Sequence, residues 1–298
     1  MGGGHLVLVE WLAGSPEQGV YLAASRTGDT SYPPGPPYCL ISTALDLDAS
    51  AAFRVRTLTA LALVVPGVVP LHGLASVDPP VVPPERAPGA AQVPLPTLIG
   101  LVEACPSGVP SHRWPVELGP NEAISLALGV AYSLAAAHGA GLAVGGIRPE
   151  HVYISTAREE PALSGIAPRA ERFWRMLPRP GFGIAPAYSD MYDAPEQLRP
   201  ERRHLVTPAG DVFSLCATLV YWLTNRHPFA GKSPSEQAVA ILEGHRAPPP
   251  PGADQLLRSQ VIRRGLNADP EARPSIANVI DLLLTRAPEV KPAWSRNG

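Results

Sequence analysis

The feature that most constrains the fold is the segment of residues 121–138, which is apolar nearly all round a helical wheel. Pro120 stands at its start and Gly139 just after it, a pattern typical of helix boundaries. A helix without a polar face has to be enclosed by other elements. Residues 212–223 have the same character. The sequence therefore predicts a large helical lobe in which two helices are buried.

The first third of the chain favours short strands instead. Four apolar runs predict them: residues 5–12, 19–24, 38–44 and 98–104. A helix is predicted over residues 48–64, and the prolines of residues 78–96 predict an exposed loop because proline interrupts regular elements. Three further helices are predicted beyond the buried ones, over residues 234–243, 254–266 and 275–284. We expect an N-lobe over residues 1–104, a C-lobe over 105–288 and a tail over 289–298.

Charge and cysteine content exclude several classes of protein. The net charge of the 298 residues is −2, so no broad field attracts nucleic acid or acidic lipid. The three cysteines, Cys39, Cys105 and Cys216, lie far apart without a CxxC pair, which argues against a disulfide framework or a zinc site. No signal-peptide pattern and no apolar stretch of membrane-spanning length is evident. We expect a soluble cytoplasmic protein without nucleic-acid or membrane partners.

Three separated motifs stand in one order along the second half of the chain: A-P-E at residues 194–196, D-V-F-S-L at 211–215 and D-P-E-A-R-P at 269–274. Together they resemble the lower lobe of bacterial Hanks-type Ser/Thr protein kinases, and the resemblance covers about residues 8–286. It implies an α+β, two-lobed protein-kinase-like fold with a small β-rich N-lobe and a larger helical C-lobe. It also implies three structural residues: Glu196 pairs with Arg273, and Asp211 bonds backbone amides of the catalytic loop.

The catalytic loop of that family, His-Arg-Asp-Leu-Lys-Pro-Glu-Asn, is matched by V-G-G-I-R-P-E-H at residues 144–151. The resemblance implies that Gly146 replaces the general-base Asp and that His151 replaces the magnesium-binding Asn. Arg148 stands where the family has Lys. The metal-binding Asp-Phe-Gly is matched from Gly165 onward, where no carboxylate follows. Because magnesium prefers carboxylate and phosphate oxygens, we expect no metal site and no cofactor.

The positions that hold ATP phosphates in the family are degenerate as well. The phosphate-covering loop is matched by residues 12–23, and its three glycine positions fall on Ala13, Ser15 and Gln18. The phosphate-binding Lys falls at Ile41 or Ser42, and its Glu partner falls at Arg56. No lysine precedes Lys232 anywhere in the chain. Both members of the usual ion pair are therefore missing.

The activation segment carries a different signal. Between Gly165 and Ala187 no Ser, Thr or Tyr is available for phosphorylation. Six arginine, aromatic and methionine residues occupy its centre instead: Arg169, Arg172, Phe173, Trp174, Arg175 and Met176. These residue types are favoured at the centres of protein interfaces. The same apolar side chains could fold inward and plug the vacant cleft, and both interpretations stay open.

The sequence thus predicts a pseudokinase, a catalytically inactive kinase homologue that works by binding another protein, such as an active kinase or a kinase substrate. Losing a general base alone costs ~10²–10⁴-fold in rate. One alternative is a sensor of a small molecule, or of a nucleotide bound without metal, for which Glu103 and Cys105 at the inter-lobe hinge would offer backbone groups. Another is an enzyme whose displaced carboxylates come from Asp190, Asp193 or Glu103.

Overall fold

The computed structural model describes the following residues: 6–14, 19–25, 38–43, 65, 67–69, 71–77, 98–104, 108–155, 162–166, 191–199, 206–229, 231–246 and 257–292. The chain divides into two compact units. One unit comprises Met1–Val64 with Val69–Cys105, and the other comprises Val65–Val68 with Pro106–Gly298. The predicted helix over 48–64 and the predicted loop over 78–96 lie outside the described residues.

The first unit contains a five-stranded antiparallel sheet in the order β1-β2-β3-β5-β4. Its strands are β1 (Leu6–Gly14), β2 (Gly19–Ser25), β3 (Tyr38–Thr43), β4 (Leu71–Val77) and β5 (Leu98–Ala104). The four predicted strands are confirmed with small shifts at their ends. Strand β4 was not predicted. Its sequence, L-H-G-L-A-S-V, breaks the alternation of polar and apolar residues, and its register with β5 shifts between Leu71 and Gly73.

The second unit contains a small sheet and most of the helices. Strands β6 (Val109–Pro110), β7 (Val152–Ser155) and β8 (Ala162–Ile166) form a three-stranded antiparallel sheet. The helices are α1 (Pro120–Gly139), α2 (Pro195–Leu198), α3 (Pro208–Thr224), α4 (Pro234–Glu243), α5 (Arg263–Gly265) and α6 (Ile276–Arg286). A π-helical segment, Leu257–Ile262, continues into α5. None of the helices described is long and apolar enough to span a membrane.

Helices α1 and α3 form the centre of this unit, as their apolar character predicts. Buried side chains cover both helices on most sides, and Phe213 on α3 is fully enclosed. The chain approaches α3 closely at Gly265, where a Cβ atom would lie 2.2 Å from Cys216 Sγ. Only glycine permits that contact, so α5 can pack directly on α3.

Local signals set the helix ends. Thr207 caps α3 by accepting a hydrogen bond from Gly210 N, and Pro208 occupies the first helical position, so α3 begins earlier than the apolar pattern predicts. Asn225 ends the same helix in the left-handed region, with φ of 51°. Past α6, the carbonyl of Lys291 accepts a hydrogen bond from Ser125 Oγ at 2.6 Å, which ties residues after the last helix to α1.

Candidate functional site

Some of the residues matched to phosphate-binding positions are among those that the structure describes, and these lie on the sheet of the first unit. Ala13 lies on β1 opposite Val20, and Ser42 lies on β3 opposite Gly100. Glu103 lies on β5 between Cys39 and Leu71. Other predicted site residues fall outside the described residues: Ser15, Gln18, Arg56, Cys105, Arg169, Arg172, Phe173, Trp174, Arg175, Met176 and Asp190.

Asp211, near the start of α3, anchors the first part of the segment that matches the catalytic loop. Its side chain is buried, and its two oxygens accept hydrogen bonds from Gly145 N at 2.6 Å and Val144 N at 2.8 Å. His138 Nε2 lies 2.9 Å from Asp211 Oδ2 and donates a third hydrogen bond to it. A carboxylate bound by several donors holds its neighbours firmly because charge-assisted hydrogen bonds are strong. Helices α1 and α3 therefore fix the position of this loop together.

His138 is a residue that the sequence reasoning missed. It is the basic residue in the last turn of a mostly apolar helix. A histidine in that position also suits the helix dipole, so the pattern alone does not distinguish a loop anchor from a helix-end residue. Its role becomes visible only because the fold brings α3 against the end of α1.

Two consecutive glycines give the loop its shape. Gly145 has φ of 70° and Gly146 has φ of 64°, so both residues adopt the left-handed region. Residues with a Cβ atom enter that region at a cost of ~1–2 kcal/mol. Gly146 stands where the resemblance implies a general-base Asp. The backbone here is thus adapted to glycine, and it offers no side chain at that position.

His151 closes the loop onto itself. Its ring is buried, and Nε2 accepts hydrogen bonds from Arg148 Nε at 3.1 Å and Arg148 Nη2 at 2.8 Å. Since a nitrogen that accepts carries no proton, the neutral ring is protonated at Nδ1, which donates to the carbonyl of Gly146 at 2.7 Å. Both ring nitrogens and the Arg148 guanidinium are therefore engaged within the loop.

The later part of the loop is anchored to α3 through a serine. Ser111 Oγ donates to the carbonyl of Pro149 at 2.7 Å and accepts from Trp222 Nε1 at 3.0 Å. All of these groups are buried, so each hydrogen bond satisfies a polar group that water does not reach. The loop is consequently held at both ends by α3, through Asp211 at one end and Trp222 at the other.

Gly165, the position matched to the first residue of the metal-binding motif, lies on β8 opposite Tyr153. Within the described ranges, no group of three or more His, Cys, Asp or Glu side chains could hold a metal ion. Asp193, one of the alternative carboxylates, is buried just before α2.

Arg273 and Glu196 form a buried ion pair with two hydrogen bonds of 2.7 Å. The Arg273 side chain is 0% exposed and its guanidinium lies 5.1 Å from the centre of the Phe213 ring. It also donates to three backbone carbonyls, those of Ala209, Asn267 and Ala268. These bonds satisfy all five guanidinium N–H groups. The pair joins α2 to the segment before α6 and to the start of α3.

An aromatic cluster holds the chain just before α2 against the end of α3. Ser214 Oγ donates to the carbonyl of Tyr192 at 2.8 Å, and the rings of Tyr192 and His227 meet edge to face at 4.8 Å. Burial raises the pKa of Tyr192, and the nearby Glu150 carboxylate raises it further. Burial lowers the pKa of His227, although its bonds to backbone carbonyls oppose that effect. Sequence reasoning did not identify this cluster.

These observations define the class of protein: the chain has an α+β, two-lobed protein-kinase-like fold. The crystal structure of Rad53 1–466 in complex with AMP-PNP matches it with a TM-score of 0.64 and 16% sequence identity, over 93% of this chain and 64% of that chain. The A-P-E, D-V-F-S-L and D-P-E-A-R-P motifs lie in the second unit of this chain.

Relatives in sequence are the serine/threonine-protein kinases named AfsK from Streptomyces griseus and Streptomyces coelicolor. Each is 33% identical to this chain over 153 residues, which is 51% of this chain. The match spans only 17% of the length of each relative. No family model matches the chain.

Proposed function

We propose that this chain is a catalytically inactive protein-kinase homologue that regulates another protein by binding it. The observation that carries the proposal is the set of hydrogen bonds that join Arg148, His151 and the Gly146 carbonyl. A kinase needs a carboxylate base and oxygen ligands for magnesium at this loop. Here the corresponding positions hold a glycine and a histidine whose ring nitrogens bond other groups of the loop.

The magnitude of the expected loss favours inactivity over a weakened activity. General-base help is worth ~10²–10⁴-fold, and metal clamps add several kcal/mol of charge stabilisation in the transition state. Arg148 does not compensate, because its guanidinium is directed at His151. In contrast, the structural bonds of Asp211 and Arg273 are complete. A fold that keeps its structural contacts but has no catalytic groups suits a binding role.

The relatives give a second candidate, an active kinase, because the AfsK proteins carry the name of serine/threonine-protein kinases. In that case the carboxylates have to come from other positions, such as Asp190, Asp193 or Glu103. A sensor that binds a nucleotide without metal is the third possibility, with Glu103 and Cys105 as backbone contacts.

One pair of measurements separates these functions. The purified chain is incubated with radiolabelled ATP and either magnesium or manganese, and ATP binding is measured by calorimetry with and without the metal. We expect no transfer above a protein-free control and no metal-dependent binding. Phosphoryl transfer activity that co-purifies with the protein would show that the chain is an active kinase. ATP binding that is unchanged by chelation of the metal would favour the sensor.

A second experiment looks for the partner protein. It tests the segment of residues 169–176, for which the sequence predicts either a protein interface or a plug of the cleft. Cross-linking in the native organism should lose its principal protein adduct in Trp174→Glu. Val116→Glu is the matched control because Val116 is an exposed apolar side chain elsewhere in the second unit. An adduct that persists in Trp174→Glu would remove this segment from the interface. The cytoplasmic location stays part of the proposal.

A further inference from the structure

We draw no further inference here: the strongest candidate, the exposed apolar face of helix α4 that Val239 and Leu242 form, carries no proposal because nothing in the structure shows what covers it.

Discussion

The ion pair of Glu196 with Arg273 and the loop of residues 144–151 are both buried polar regions, but they differ in what satisfies them. In the ion pair, the residues that the family motifs imply meet each other directly. In the loop, His151 bonds both the Arg148 guanidinium and the Gly146 carbonyl. The comparison teaches that one buried polar region joins separate elements, whereas the other is bonded largely within itself and leaves Glu150 Oε2 buried without a hydrogen-bond partner.

The largest expected effect comes from breaking the ion pair. Arg273→Gln leaves the Glu196 carboxylate without its bidentate partner, and removing one member of a buried pair costs about 3–5 kcal/mol. Urea unfolding of the full chain measures the loss. The control is Arg264→Gln, which removes an exposed arginine and should change stability by less than ~0.5 kcal/mol. Similar free energies of unfolding for the two variants would show that the ion pair does not stabilise the fold.

A smaller effect is expected in the loop, where Gly146→Ala adds a Cβ atom to a residue with φ of 64°. The left-handed conformation should cost this variant ~1–2 kcal/mol. Gly139→Ala is the matched control, because Gly139 ends α1 and a Cβ atom there meets nothing within 4 Å. A helical Gly→Ala change should be neutral or stabilising. An equal effect of both changes would contradict the strained role of position 146.

The same position also tests whether chemistry can be restored. Gly146→Asp returns the carboxylate that the family uses as a general base. We expect no activity in the radiolabelled ATP assay, because the positions matched to the magnesium ligands still carry His151 and Gly165 and a metal clamp is worth several kcal/mol. Phosphoryl transfer by Gly146→Asp would show that the loop retains more of a kinase site than its hydrogen bonds indicate.

The difference between the two regions also explains what the sequence could reveal. Asp211 and Arg273 lie in motifs whose residue types and order can be recognised from the sequence alone. Their contacts could therefore be inferred before the fold was known. The bond of His151 to Gly146 depends on the backbone angle of Gly146, which no residue pattern specifies. His138 was missed for a similar reason, since its carboxylate partner lies on another helix.

Some elements of secondary structure could likewise be predicted from the sequence alone, and others depend on contacts in the fold. The helix Pro234–Glu243 was predicted at its observed ends, and the structure shows Ser233 capping its start and Gly244 ending it in the left-handed region. The segment Leu257–Ile262 is π-helical rather than a regular α-helix, and periodicity does not distinguish the two. Strand β4 was missed because Gly73 interrupts its apolar pattern. Local capping is therefore readable in this chain, whereas irregular pairing depends on neighbours.

The smallest expected effect is a change of stability with pH at His227. It compares a buried neutral group with the charged ion pair of Glu196 and Arg273. His227 bonds the carbonyl of Met191, just before α2, and burial holds its pKa below the ordinary value of 6.5. The unfolded chain therefore takes up a proton at higher pH than the folded chain. Stability from the neutral ring is fully present above pH 6.5 and is lost as the pH falls from there through the lower folded pKa.

We therefore expect the stability difference between the parent and His227→Gln to shrink as the pH is lowered from 7.5 to 5.5. Urea unfolding at several pH values measures it, with an effect on the order of 1 kcal/mol for each unit that separates the two pKa values. His245→Gln is the control because the His245 side chain is 74% exposed. A pH-independent difference for His227→Gln would mean that the ring takes up its proton at the same pH in the folded and the unfolded chain. The bonds of the ring to the carbonyls of Phe229 and Met191 would then offset the effect of burial on its pKa in full.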